Sequence, residues 1–75
     1  MKEQLHRLVR LAYLIKIHGT GTPKECADRI GISERSLYDY LKLLREFGCP
    51  IKYSRTKNTY YFTEEGNFLI RFVND

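Results

Sequence analysis

Three basic side chains lie close together in the second half of the sequence, and they are the clearest candidates for a chemical role. Lys52, Arg55 and Lys57 fall within 47–63, a stretch without an acidic residue. Ammonium and guanidinium groups bind phosphate oxygens, so a compact basic segment suits contact with a phosphate backbone. The alternative is that these charges only keep the segment soluble. Lys24, near the start of a predicted helix, is a further candidate for phosphate contact.

A second candidate set lies in 33–46, where apolar residues recur at helical spacing and leave polar residues on the opposite face. Arginine can bind guanine, a carboxylate can accept from cytosine, and an aromatic ring can contact a thymine methyl group. The acids have another interpretation, because carboxylates near a helix N-terminus stabilise the helix dipole. The aromatic residue could instead pack on the surface. The candidates are Ser33, Glu34, Arg35, Ser36, Tyr38, Asp39 and Lys42.

No residue pattern typical of catalysis or of a metal site accompanies these candidates. His6 and His18 are isolated, and no Gly-rich phosphate loop is present. Cys26 and Cys49 have neither a second pair nor a histidine at zinc spacing, so they are predicted to be buried thiols. We therefore expect no enzyme activity, no cofactor and no site for a small-molecule effector.

The composition predicts one folded domain over 1–75. The chain has 75 residues, 43% of them apolar and 29% charged, and a net charge of +4, which favours a polyanionic partner. The longest apolar stretch, 8–17, contains two bases and is too short to cross a bilayer. Nothing at the N-terminus resembles a signal peptide, so a cytoplasmic location without membrane contact is expected.

The first helix is predicted over 2–18, with Gly19 as its left-handed terminator. Three apolar residues, Leu11, Leu14 and Ile17, are assigned to positions outside its apolar stripe. That stripe is predicted to comprise Leu5, Leu8, Val9, Ala12 and Ile15.

The second helix is predicted over 23–30. Thr22 is its N-cap, and Glu25 stands at the position where a carboxylate completes a capping box. Gly31 can adopt the positive φ that ends a helix. The helix is therefore short, and the turn after it is tight.

The third helix is predicted over 34–47, with Ser33 as N-cap and Gly48 after its end. Its apolar face is predicted to comprise Leu37, Tyr40, Leu41, Leu44 and Phe47. The pattern then changes to β-branched and aromatic runs, which predict a hairpin over 51–63 with its tip at 55–58. A further strand is predicted over 67–73, with a short helix as the alternative.

The surplus apolar residues of the first helix suggest self-association. Leu11, Leu14 and Ile17, with Leu69 and Val73 of the last strand, are predicted to form a homodimer interface. Alternatively, the first helix and the last strand cover each other within one chain.

The predicted class is therefore mainly α with a small β-sheet (α+β). Three helices followed by a hairpin give the order of a winged helix-turn-helix domain, and Ala27, Gly31 and Leu37 occupy the places where that family has a small residue, a glycine and an aliphatic residue. From Arg7 to Phe62 the chain resembles the N-terminal DNA-binding domains of DeoR-type and biotin-repressor-type bacterial regulators.

The resemblance implies sequence-specific binding to double-stranded DNA in transcription or in the control of a mobile element. One departure lies in the third helix, where many relatives carry Arg-Asp and this chain has Asp39-Tyr40. The acid predicts that affinity comes mainly from the basic hairpin, the wing of this family. It also leaves open a second function, a winged helix that binds protein instead of DNA.

Overall fold

The computed structural model of the chain describes residues 2–64, and these form three helices and one β-hairpin. The hairpin is a two-stranded antiparallel sheet. The mainly helical α+β class is therefore confirmed, whereas the strand predicted over 67–73 lies outside the described residues. In chain order the elements are α1 (Lys2–Lys16), α2 (Pro23–Ile30), α3 (Glu34–Glu46), β1 (Ile51–Ser54) and β2 (Thr59–Phe62).

The start of α2 has the predicted capping box. The Glu25 amide donates to the Thr22 hydroxyl at 3.3 Å, and the Thr22 amide donates to the Glu25 carboxylate at 2.9 Å. This arrangement satisfies two of the amides that a helix start leaves without intrahelical partners. The two bonds fix where α2 begins relative to the loop before it.

The turn between α2 and α3 depends on Gly31, whose φ of 84° lies in the left-handed region. Its amide donates to the Ala27 carbonyl at 2.8 Å, and the Ile32 amide donates to the same carbonyl at 2.9 Å. Ser33 then caps α3, because its hydroxyl accepts from the Ser36 amide at 3.1 Å. Three residues, Gly31, Ile32 and Ser33, are thus enough to separate the helices.

The end of α1 differs from its prediction. The residue with positive φ is His18 (57°) and not Gly19, and the helix ends at Lys16. The Gly19 amide donates to the Leu14 carbonyl at 2.8 Å, which closes a six-residue C-terminal motif with His18 at the left-handed position. The prediction placed Gly19 at the left-handed position, whereas Gly19 lies one residue after it.

The core-facing stripe of α1 also differs from its prediction. Leu5 is 48% exposed and Val9 only partly buried, whereas Leu11 is fully buried. Leu11 belongs to the stripe because it lies three residues from Leu8 and four from Ile15. The prediction that Leu11 lies outside the stripe is wrong. The buried residues of α1 are Leu8, Leu11, Ala12 and Ile15.

The apolar face of α3 is confirmed except at its end. Leu37, Leu41 and Leu44 are buried in the core and Tyr40 packs against it. Phe47, predicted on the same face, is 58% exposed because it is the C-cap residue, where the chain leaves the helix towards the hairpin.

Thr20 joins the loop after α1 to strand β2. The Tyr60 amide donates to the Thr20 hydroxyl at 2.8 Å, and the hydroxyls of Thr20 and Thr59 lie 3.0 Å apart. Both threonines are buried. A buried backbone amide needs an acceptor, so these contacts hold β2 against the helical part of the molecule. No local sequence pattern predicts this cluster.

Candidate nucleic-acid interface

The basic hairpin tip predicted from the sequence is exposed and has a defined turn. Lys52, Arg55 and Lys57 all face solvent. The Lys57 amide donates to the Ser54 hydroxyl at 3.2 Å, and Asn58 has a φ of 52°. Asparagine tolerates this left-handed conformation better than most residues. The turn therefore presents its two tip cations outside the sheet.

The strand register gives the hairpin one face towards the core. Ile51 pairs with Phe62, and Tyr53 pairs with Tyr60. The rings of Tyr53 and Tyr60 are 4.8 Å apart in an edge arrangement. Lys52 pairs with the residue between those partners and so points to the other face. The alternation leaves Lys52 in solvent while its neighbours pack inward.

Arg45 joins the end of α3 to the start of the hairpin. Its guanidinium donates to the Ile51 carbonyl from Nε at 3.3 Å and from a terminal nitrogen at 3.2 Å. This cation is thus used to position the hairpin relative to α3. Arg45 is not among the residues predicted from the sequence, because a side chain crossing to a carbonyl six residues later has no local sequence signal.

The exposed face of α3 has two edges of different character. Asp39 and Glu46 line a shallow groove of about 370 Å³ between α3 and the start of α1, together with Gln4, Ser36, Tyr40, Lys42 and Leu43. Tyr38 and Arg45 lie on the opposite edge, which faces the hairpin. Two acids of this helix, Asp39 and Glu46, therefore lie on the edge away from the hairpin, and the predicted contact Lys42 lies there with them.

The edge of α3 that faces the hairpin carries an exposed aromatic ring. Tyr38 is 52% exposed and lies beside the buried phenol of Tyr60. Burial raises the pKa of Tyr60 to about 12, and the phenol of Tyr38 adds to that shift. Tyr60 is therefore a neutral packing residue, and Tyr38 is the tyrosine of this pair that a ligand can reach.

The remaining predicted contacts fall in three places. Arg35 is exposed between the two edges of α3, and Glu34 is exposed in its first turn. Lys24 is exposed near the start of α2. The Ser33 hydroxyl also contacts the Ser36 hydroxyl at 3.1 Å, so both serines serve the cap of α3.

Among the residues predicted for a homodimer, the three that the structure describes do not form one exposed surface. Leu11 is fully buried in the core of a single chain, so its assignment to a self-association surface is wrong. Leu14 packs partly buried against that core, and Ile17 is 52% exposed. Leu69 and Val73 lie outside the described residues. The exposed or partly exposed apolar row of α1 is instead formed by Leu5, Val9, Tyr13 and Ile17.

The two cysteines are buried free thiols, as predicted. Burial raises the pKa of Cys26 to about 11, and it also raises the pKa of Cys49. Within residues 2–64, no group of three His, Cys, Asp or Glu side chains is arranged to hold a metal ion. No helix in this described range has the length and apolar character needed to cross a membrane.

Comparisons of the chain with models of known families, with curated proteins and with solved structures found no match.

Proposed function

We propose that this protein binds double-stranded DNA in a sequence-dependent manner and acts as a small transcriptional regulator of a bacterium or a mobile element. The observation that carries the proposal is the combination of a basic hairpin tip with a neighbouring helix face that exposes Arg35 and Tyr38. Phosphate contacts supply most of the affinity for DNA, and base contacts supply specificity.

The separation of charges on α3 supports this proposal. Asp39 and Glu46 line the groove towards α1, whereas Tyr38 lies on the edge beside the hairpin. A duplex seated between α3 and the hairpin would meet Tyr38 before it met those acids, whereas Arg35 lies one helical turn from Asp39. The acidic residues therefore reduce affinity less than their number suggests.

The roles divide between the two elements. Arg35 is the candidate for a guanine contact and Tyr38 for a thymine methyl group or a sugar. Lys52, Arg55 and Lys57 are candidates for phosphate, or for entry of the tip into a minor groove. One chain offers one such surface, so a twofold-symmetric site would take two copies.

The test is selection of bound duplexes from a random library, followed by a gel shift with the selected sequence. We expect an enriched motif whose binding weakens as salt is raised. An inverted repeat in the motif, with two chains in the complex, would support the predicted homodimer on DNA. Failure to bind any duplex at low salt would refute the proposed function.

The groove between α1 and α3 favours a second candidate function, binding to another protein. It combines Tyr40 and Leu43 with the carboxylates of Asp39 and Glu46 and the ammonium group of Lys42. Apolar surface with polar groups at its margin is typical of protein contacts. This alternative would be supported if the protein bound no duplex and if Asp39→Lys abolished its binding to a protein partner.

A further inference from the structure

We propose that residues 65–75 of the same chain pack over the exposed apolar row of α1, formed by Leu5, Val9, Tyr13 and Ile17. This proposal concerns a surface separate from the candidate nucleic-acid interface and does not depend on DNA binding. The contact is made within one chain. A second copy of the chain is the alternative occupant of this surface.

The row is a continuous ridge along one side of α1. Its members follow one another at four-residue steps, which places them in line on a helix surface. Ile17 continues the row beyond the helix because its amide donates to the Tyr13 carbonyl at 3.1 Å. Within the described part of the chain, Leu5, Tyr13 and Ile17 keep about half of their side-chain surface exposed, at 48%, 52% and 52%.

The charge beside this row is basic. Arg10 and Lys16 are exposed on α1, and Glu3 is the acidic residue of this helix. Two copies packed through this row would bring the basic residues of both α1 helices close together, which is unfavourable. The row therefore suits an apolar segment with acidic flanks better than a second α1.

The sequence after β2 has this composition. Residues 65–75 contain five large apolar side chains, with Glu64 and Glu65 before them and Asp75 after them. Arg71 is the one base in the segment. The apolar residues are Phe68, Leu69, Ile70, Phe72 and Val73.

Tyr61, near the end of the described residues, lies close to the end of α1. The Tyr61 ring lies edge-on to the His18 ring, with centroids 6.4 Å apart, just beyond the end of α1. The Thr63 amide donates to the Pro50 carbonyl at 2.8 Å, which holds the end of the hairpin beside the residue before β1. Eleven residues span up to about 36 Å when extended. The fifteen residues of α1 span about 22 Å, so the segment can reach along the whole row.

Trypsin cleavage after Arg71 in the full chain tests the contact, because a packed segment is cut only when it opens. We expect Tyr13→Glu to accelerate this cleavage by about tenfold, since it places an anion within the apolar row. The matched control is Tyr38→Glu, which changes a tyrosine of equal exposure, 52%, on α3 and should leave the cleavage rate at the wild-type value. Equal rates in wild type and Tyr13→Glu would overturn the proposal.

A spin label at Asn74→Cys separates contact within one chain from contact between two. The buried thiols of Cys26 and Cys49, with raised pKa values, should stay unlabelled in the folded protein. In a ¹⁵N-labelled chain that carries the spin label, we expect broadening of amides in 5–17. A second sample mixes equal amounts of ¹⁵N chains without the label and spin-labelled ¹⁴N chains. Broadening in this mixture would show a contact between two chains and would overturn the intramolecular contact. An absence of broadening in both samples would also overturn it.

Discussion

Thr20 shows how one side chain can join parts of this fold that are distant in sequence. Its hydroxyl accepts from the Tyr60 amide and lies within hydrogen-bond distance of Thr59, almost 40 residues later. Thr20 is fully buried, so water cannot replace these contacts. Its sequence context, between two glycines, predicts only a loop.

We expect Thr20→Val to destabilise the protein by about 1–3 kcal/mol, because it leaves the buried Tyr60 amide without an acceptor. Urea denaturation followed by circular dichroism measures the loss. Thr20→Ser is the matched control, since it keeps the hydroxyl and should cost less. If Thr20→Val and Thr20→Ser were equally stable, the hydrogen bond would not have the role assigned to it.

Arg35 is the residue to which we assign base recognition. We expect Arg35→Ala to cost about 1–3 kcal/mol on a selected duplex and to relax preference at one base position. Arg10→Ala removes the same charge from the solvent side of α1 and should leave this preference unchanged. Competition binding with selected and random duplexes measures both. An equal loss on the two duplexes would contradict a base contact by Arg35.

At the scale of elements, local sequence signals predicted most of what the structure has. The capping box of Thr22 and Glu25 and the turn at Gly31 involve neighbours in sequence, so their residue types suffice to identify them. Leu11 was assigned to the wrong side of α1 because the helix carries apolar residues on most of its circumference. Only packing against α2 and α3 decides which of those residues are buried.

Packing between elements also limits how much of the candidate site could be predicted from the sequence. The exposure of Lys52, Arg55 and Lys57 follows from a hairpin pattern and could be predicted. The position of Asp39 and Glu46 in a groove could not be predicted, because the groove depends on where the start of α1 lies relative to α3. The bond from Arg45 to the Ile51 carbonyl could not be predicted either, because it joins α3 to β1.

The turn between α2 and α3 should be sensitive to a side chain at Gly31. A Cβ there would meet no atom within 4 Å, so the cost of Gly31→Ala is that of the backbone conformation at a φ of 84°. We expect a loss of about 1–2 kcal/mol in urea denaturation. Gly31→Asn should lose less, because asparagine tolerates this conformation. Equal stability of Gly31→Ala and wild type would contradict a left-handed turn at this position.

The capping box of α2 should make stability depend on pH. Hydrogen bonds from the Thr22 amide and hydroxyl, with the charge of Arg29, hold the pKa of Glu25 below its ordinary value of 4.5. A carboxyl with a lowered folded pKa stabilises the protein above pH 4.5, and this contribution is lost as pH falls through the folded value. Glu25→Gln keeps an acceptor but cannot ionise. The stability advantage of wild type over Glu25→Gln should therefore shrink below pH 4.5 in urea titrations, and a constant difference would contradict this role.

At the scale of the whole molecule, the two long faces of this small domain are assigned to different partners. One combines α3 with the hairpin and carries Arg35 and the basic tip, and we assign it to DNA. The other is the apolar row of α1, which we assign to the C-terminal segment of the same chain. The core between them holds both cysteines and the buried leucines of α1 and α3.

The central claim is that the hairpin supplies phosphate contacts to a duplex. The most direct measurement is the salt dependence of Kd for a selected duplex with wild type and with Lys52, Arg55 and Lys57 replaced by Ala in turn. Each substitution should lower the slope of log Kd against log salt by about 0.9, whereas Lys16→Ala on α1 should leave it unchanged. Wild-type slopes in all three hairpin variants, or an equal change in Lys16→Ala, would contradict the account.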